Sequence, residues 1–171
     1  MKLIKAGVLG GLVLFAWSSI SWMALPWHQK TFKSFKIEPA IMVAMKAGSQ
    51  GSGVYMMPSM DKKADKKKST DPFAFVVYND KGYGDMNKRM AVALVENILT
   101  ALLAAFFLSR CKIKDYGSRV LTLGLLGLFA GLAAHVPNLI WWGHSPAFTF
   151  VAVADLLIGW TLAGLVMAKV S

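Results

Sequence analysis

Four side chains in this 171-residue sequence are of types that do chemistry yet sit in strongly apolar surroundings: Glu96, His135, Asn138 and Asp155. Glu96 lies within Val92-Ala93-Leu94-Val95-Glu96-Asn97-Ile98, and Asp155 lies within Val153-Ala154-Asp155-Leu156-Leu157. An Asp at the middle of a lipid-embedded helix costs about 2.5 to 3.5 kcal/mol on insertion scales, so each acid needs a partner or a task. Three tasks fit these residue types. The acids can be neutral or hydrogen-bonded and fix helix register, they can line a proton or cation pathway, or they can bind another subunit or a lipid. The first is the expectation. A catalytic metal fits less well, because Glu96, His135 and Asp155 would have to supply every ligand with no corroborating motif. The sequence contains no His-Glu-x-x-His, nucleophile elbow or phosphate-binding glycine loop. No enzymatic activity, cofactor or resident metal is expected.

Two further sets of residues carry chemical options. Met56, Met57 and Met60, with Met42 and Met45 earlier, offer soft thioether sulfurs of the kind that bind Cu(I). They lack a repeated Met-x-Met spacing, and methionine is a flexible apolar filler on adaptable surfaces, so contact or packing is the expected role. Lys62, Lys63, Lys66, Lys67 and Lys68 form a basic run between Asp61 and Asp71. A solvated loop is the plain reading. Contact with anionic head groups or an acidic partner is the sharper one, each cation near such a surface adding about 1 kcal/mol.

The elements that must position these groups follow from hydropathy. The chain is 56% hydrophobic and 16% charged, too apolar for a soluble domain of this length. A net charge of +10 does not point to nucleic acid, because the cations lie between long apolar runs and not on one soluble face. Crossing hydrocarbon takes roughly 20 apolar residues, and four runs qualify, about 3–25, 90–109, 120–140 and 147–168. The fold expected is an all-α membrane protein, a four-helix bundle forming one integral domain over 1–171 with a long loop at 26–87. The first run could be a secretory signal, with Lys2 and Lys5 ahead of it and Ser19-Ile20-Ser21 as small residues for cleavage. Its apolar continuation through Trp22, Met23 and Leu25 favours an uncleaved anchor.

Orientation follows from short-loop cations. Arg110, Lys112, Lys114 and Arg119 crowd the second connection, while Trp141 to Pro146 carries none. The second connection, both termini and the lone cysteine, Cys111, are therefore expected in the cytoplasm and the long loop outside. Counting about 1.5 Å per residue puts Glu96, His135 and Asp155 about 9, 8 and 12 Å below the outer ends of their spans. They could meet in the outer half of one bundle, with Asn97, Asn138, Ser18, Ser19 and Ser21 as hydrogen-bond partners. Gly7-x-x-x-Gly11, Gly127-x-x-x-Gly131 and Gly164-x-x-x-Ala168 mark close helix approach. Pro137 is expected to bend or end the third helix, and His144 to sit at the interface beside Trp141 and Trp142.

Within the loop, Glu38-Pro39 opens a short surface helix that Gly48 stops, with Phe32 and Phe35 as anchors. Gly53–Met57 and Phe73–Tyr78 have the composition of strands, and Asn79-Asp80-Lys81-Gly82 closes the second, which predicts a small hairpin. Ser21-Trp22-Met23-Ala24-Leu25-Pro26-Trp27 and the turn from Asn138 to Phe150, in a layout of one span, a long loop and three close spans, resemble small four-span bacterial membrane proteins. The resemblance implies the layout, in a bacterial inner membrane, and no activity. The function expected is that of a non-enzymatic accessory subunit. It would contact the bilayer and either other membrane subunits or further copies of itself, and no nucleic acid. The alternative is a small proton or cation carrier using the intramembrane acids.

Overall fold

The computed structural model describes residues 2–59, 72–111 and 113–170. Four long apolar helices dominate it. The first, α1 (Lys2–Ser19), runs on into a single wider π turn over Ile20–Ala24. After a short helix, α2 (Glu38–Gly48), and two strands, β1 (Gly53–Met57) and β2 (Ala74–Tyr78), come α3 (Met86–Arg110), α4 (Tyr116–Trp142) and α5 (Pro146–Val170). Each long element has the length and hydropathy to cross a membrane, and only 22 to 33% of each apolar window is buried within the chain. Most of their apolar surface therefore faces outward.

Local chemistry sets the boundaries. Asp85 opens α3 by accepting a hydrogen bond from the Asn87 amide, and Asp115 opens α4 by accepting from Ser118 at 2.7 Å. Each satisfies a backbone N–H that the first helical turn leaves unpaired. Gly143 ends α4 in the left-handed conformation, φ +74°, which a residue with a Cβ enters at a cost. Of the two outcomes expected of Pro137, a bend or an end, the end does not occur, since α4 runs five residues further, to Trp142. Pro137 lacks the N–H that would bond back one turn, and the helix continues through that missing link.

Helix order in space differs from order in sequence. One flank of α1 packs on α3 and the other on α5, α5 packs along α4, and the consecutive pair α3 and α4 scarcely touch. Glycine makes these approaches close. A Cβ on Gly11 would lie 2.5 Å from the Ile98 Cα of α3, one on Gly127 would lie 2.6 Å from the Leu156 carbonyl oxygen of α5, and one on Gly131 would lie 3.0 Å from the Val153 Cα. Gly164 meets Val120 and Leu123 of α4. All three small-residue pairs of the sequence are thus placed within the chain, against its own helices. Ala101, Ala104, Ala105 and Leu108 of α3 join Ala6, Leu14, Leu123, Trp160, Ala163 and Met167 in one core.

That core is nearer the end that carries Lys2, Cys111 and Val170. There the Arg119 side chain donates to the Ile113 carbonyl at 2.8 Å and to the Ala168 carbonyl at 3.4 Å, and the Tyr116 hydroxyl donates to the Leu165 carbonyl. Carbonyls at the end of α5 have no helical partner, so a cation placed on them ties α4 to α5. At the opposite end lie the α4–α5 turn and the long loop. Strands β1 and β2 form an antiparallel pair with Tyr55 opposite Val76 and Met56 opposite Phe75. Phe75 stacks on Trp142 with ring centres 4.8 Å apart, and Phe32 meets Phe148 edge to face at 5.6 Å. Those two contacts seat the loop on the ends of α4 and α5.

Candidate functional site

Past the π turn, Pro26 begins a reversal that sends His28 back along α1, and a single 3₁₀ turn over Gln29–Thr31 follows. The consequence is a network centred on Asp155. Trp17 donates its indole N–H to Asp155 Oδ1 at 2.7 Å and shares it with the Asp155 carbonyl at 3.1 Å. His28 Nε2 lies 3.3 Å from Asp155 Oδ2 and 3.1 Å from Ser21 Oγ. Trp27 donates to both the carbonyl and the hydroxyl of Ser21, at 3.2 and 3.0 Å. An ionised carboxylate only accepts, and the His28 tautomer with hydrogen on Nε2 is the one able to donate to Asp155 Oδ2 or to Ser21 Oγ. The Asp155 carboxyl is thereby met by one indole donor and one imidazole nitrogen.

Rings close the network from water. Trp22 lies flat on His28 with centres 3.8 Å apart and 10° between planes, and Trp27 meets His28 edge on at 5.4 Å. His28 is 1% exposed and the Asp155 side chain 13%. A hydrogen bond in such a setting gains from the low dielectric, while a lost partner costs more than it would at the surface. Ser, His and Asp together suggest hydrolysis, but the arrangement is not that of a nucleophilic triad. Both oxygens share Nε2, whereas a relay needs the acid on Nδ1, and the fully buried Ser21 already accepts from Trp27. The chemistry available is that of a latch, in which donors from α1 and the reversed turn clasp an acid on α5.

The residues singled out from sequence are distributed as follows. Asp155 is at the centre of the network. Glu96 is exposed on α3, and its carboxyl has no hydrogen bond or ion pair among the described residues. His135 is half-buried on α4 with its Nδ1 unpartnered, and Asn138 donates to the Ala134 carbonyl one turn back at 2.9 Å. Because Gly131 lies over Val153 in antiparallel helices, His135 falls level with Thr149, whose buried hydroxyl is likewise unpartnered. No hydrogen bond joins Glu96, His135 and Asp155 to one another. His144 meets Phe148 edge on at 5.3 Å, at the end of the α4–α5 turn.

Met56 and Met57 are adjacent in β1, and successive strand residues point to opposite faces. Met56 shares a face with Phe75, while Met57 shares one with Tyr55, so the two sulfurs do not converge from a common face. Met60 and Lys62, Lys63, Lys66, Lys67 and Lys68 lie outside the described residues. No group of three His, Cys, Asp or Glu side chains suited to a metal occurs among the described residues.

Sequence reading missed Trp17 and His28. Trp17 looks like one more apolar residue in a span, and His28 falls beyond the end of the span once Pro26 is taken as the boundary. The available signal was the run Trp22 to His28, where a proline between two tryptophans allows the chain to reverse and bury a polar ring. No family model, curated protein or solved structure matches this chain.

Proposed function

We propose that this chain is a multi-pass protein of the bacterial inner membrane and acts as a non-enzymatic accessory subunit that docks through α3 onto another membrane protein. The four apolar helices support the membrane reading, and the short-loop cations favour a cytoplasmic face for both termini and Cys111. The observation that carries docking is Glu96. It stands on an exposed stripe of α3 with Val92, Val95, Leu99, Leu103 and Phe106, spaced three and four residues apart. A carboxyl facing lipid is costly, and burying it against a partner helix with a hydrogen-bond donor removes that cost.

The carrier reading receives less support. Its three titratable groups share no hydrogen bond, and the buried pair of His28 and Asp155 is closed off by tryptophan rings. An accessory subunit needs only a rigid scaffold with an open helix face, and α3 touches α1 but scarcely touches α4. The test replaces Glu96 by leucine and compares migration of the solubilised protein on a native gel with that of the wild type. Docking through Glu96 predicts normal membrane insertion and loss of the larger species. An unchanged assembly in the Glu96→Leu protein contradicts it.

A further inference from the structure

Beyond the long helices, α2 and the hairpin face each other across an apolar groove of about 360 Å³. Ile41, Ala44 and Met45 form one wall, one helical turn apart on a single face of α2, and Tyr55, Met57 and Val76 form the other, from one face of the strand pair. The size lies in the range of about 300 to 1,000 Å³ typical of small-molecule sites. No charged side chain lines it. The Tyr55 hydroxyl is already used, donating to the Gly51 carbonyl at 2.6 Å and accepting from the Gln50 amide at 3.0 Å, so it is the ring that faces the groove. None of the residues of α2 is buried, although the helix carries Ile41, Met42, Val43 and Met45. Apolar walls left apart in this way gain by closing on something apolar.

We infer that this groove binds one acyl chain of a bilayer phospholipid. Position argues for that occupant. Phe75 stacked on Trp142 seats the hairpin wall at the end of α4, and Phe32, six residues before α2, meets Phe148 near the start of α5, so the groove lies close to the helix ends, the level of a membrane surface if those helices span it. Lipid chains are then the most abundant apolar ligand within reach. Methionine on both walls suits a flexible chain of variable unsaturation, because thioether side chains adapt to irregular shapes. A mainly apolar lining without a charged side chain favours a hydrocarbon tail over a charged ligand. The inference rests on the membrane reading of the four helices.

The experiment uses the full-length protein in vesicles of phosphatidylethanolamine and phosphatidylglycerol containing a phospholipid with a diazirine near one acyl terminus. After illumination, adducts are mapped by mass spectrometry. Adducts are expected on the long helices and also on Ile41 to Met45 and on the hairpin. In Ala44→Trp, whose indole fills the groove, and in the milder Ala44→Leu, groove adducts should fall, by about tenfold for a loss of about 1.4 kcal/mol. Val77→Trp, on the opposite face of β2, should leave them unchanged. Adducts on the helices alone overturn the groove assignment, as does labelling that survives in both filled variants. Labelling of the groove by a free diazirine fatty acid but not by the phospholipid overturns the choice of lipid. Absence of adducts from the long helices as well would overturn the membrane reading itself.

Discussion

Adding one methyl group to Gly127 should separate α4 from α5, while adding one to Gly124, a single turn away on the same face, should not. At Gly127 an added Cβ would lie 2.6 Å from the Leu156 carbonyl oxygen and 2.6 Å from the Trp160 Cβ, neither of which can swing aside. Ordinary contact begins near 3.4 Å, so the helices must part locally by about 0.8 Å. Forcing extra volume into a packed interface costs about 1 to 3 kcal/mol. Replacing glycine by alanine in a helix returns about 1 kcal/mol through reduced backbone freedom. At Gly124 the obstacle is the Thr161 hydroxyl at 2.8 Å, which can rotate away at the expense of its bond to the Leu157 carbonyl, about 0.5 to 1.5 kcal/mol. Gly124→Ala should thus be near neutral and Gly127→Ala destabilising by up to about 2 kcal/mol, the difference of those two terms. Unfolding of the purified protein in mixed micelles by titration with a denaturing detergent measures both. Equal stability of the two variants would refute the packing argument.

Three other outcomes follow from named contacts. Asp155→Ala removes the carboxyl acceptor of both Trp17 and His28, leaving the indole only the residue-155 carbonyl and the imidazole only the Ser21 hydroxyl, a loss of about 1 to 3 kcal/mol in all, whereas Asp155→Asn keeps one carbonyl and should lose less. The same unfolding assay reads this, and equal losses for both variants would show that acceptor chemistry is not what the site uses. Phe75→Ala removes the stack on Trp142, about 0.5 to 1.5 kcal/mol beyond lost area, and should free the hairpin, read as faster amide exchange over β1 and β2 with α4 and α5 unchanged. Asp115 is exposed, and hydrogen bonds from Ser118, backbone first, hold its carboxyl below the ordinary carboxylate range. Its cap is therefore fully present above the unfolded value of about 3.9 and is lost only as pH falls through the lower folded value. Amide exchange at Ser118 should stay slow through mildly acidic pH, and early loss there would contradict the sign.

Much of the layout is legible in the sequence because the four long helices are apolar on nearly every side and long enough to be counted. The glycine pairs could be read as well, since close backbone approach has few other solutions. Helix α2 and the hairpin were readable from Glu38-Pro39, from the β-branched and aromatic content of the two strands and from the turn residues Asn79 to Gly82. The Asp155 network was not, because hydropathy assigns Trp17 to lipid and His28 to the loop, and neither assignment reveals that the chain turns back at Pro26. Depth counting placed Glu96 and Asp155 at similar levels but carried no information on rotation about each helix axis. Depth also says nothing of helix order: α1 lies between α3 and α5, and Asp155 is turned toward Trp17 and His28 while Glu96 is exposed on α3. That α4 continues past Pro137 was not decidable from the sequence, because a helix can tolerate one missing bond when its neighbours hold it.

The docking role of α3 is tested most directly by a photoreactive amino acid introduced singly at Leu99, at Leu103, and at Phe129 on α4, with illumination of native membranes. Leu103 is 69% and Phe129 68% exposed, so exposure alone would treat them alike. If α3 is the docking face, Leu99 and Leu103 will crosslink to one discrete protein species that disappears in the Glu96→Leu background, and Phe129 will crosslink to lipid. Equal protein crosslinking at Phe129, or crosslinks from α3 that are indifferent to Glu96, would contradict it.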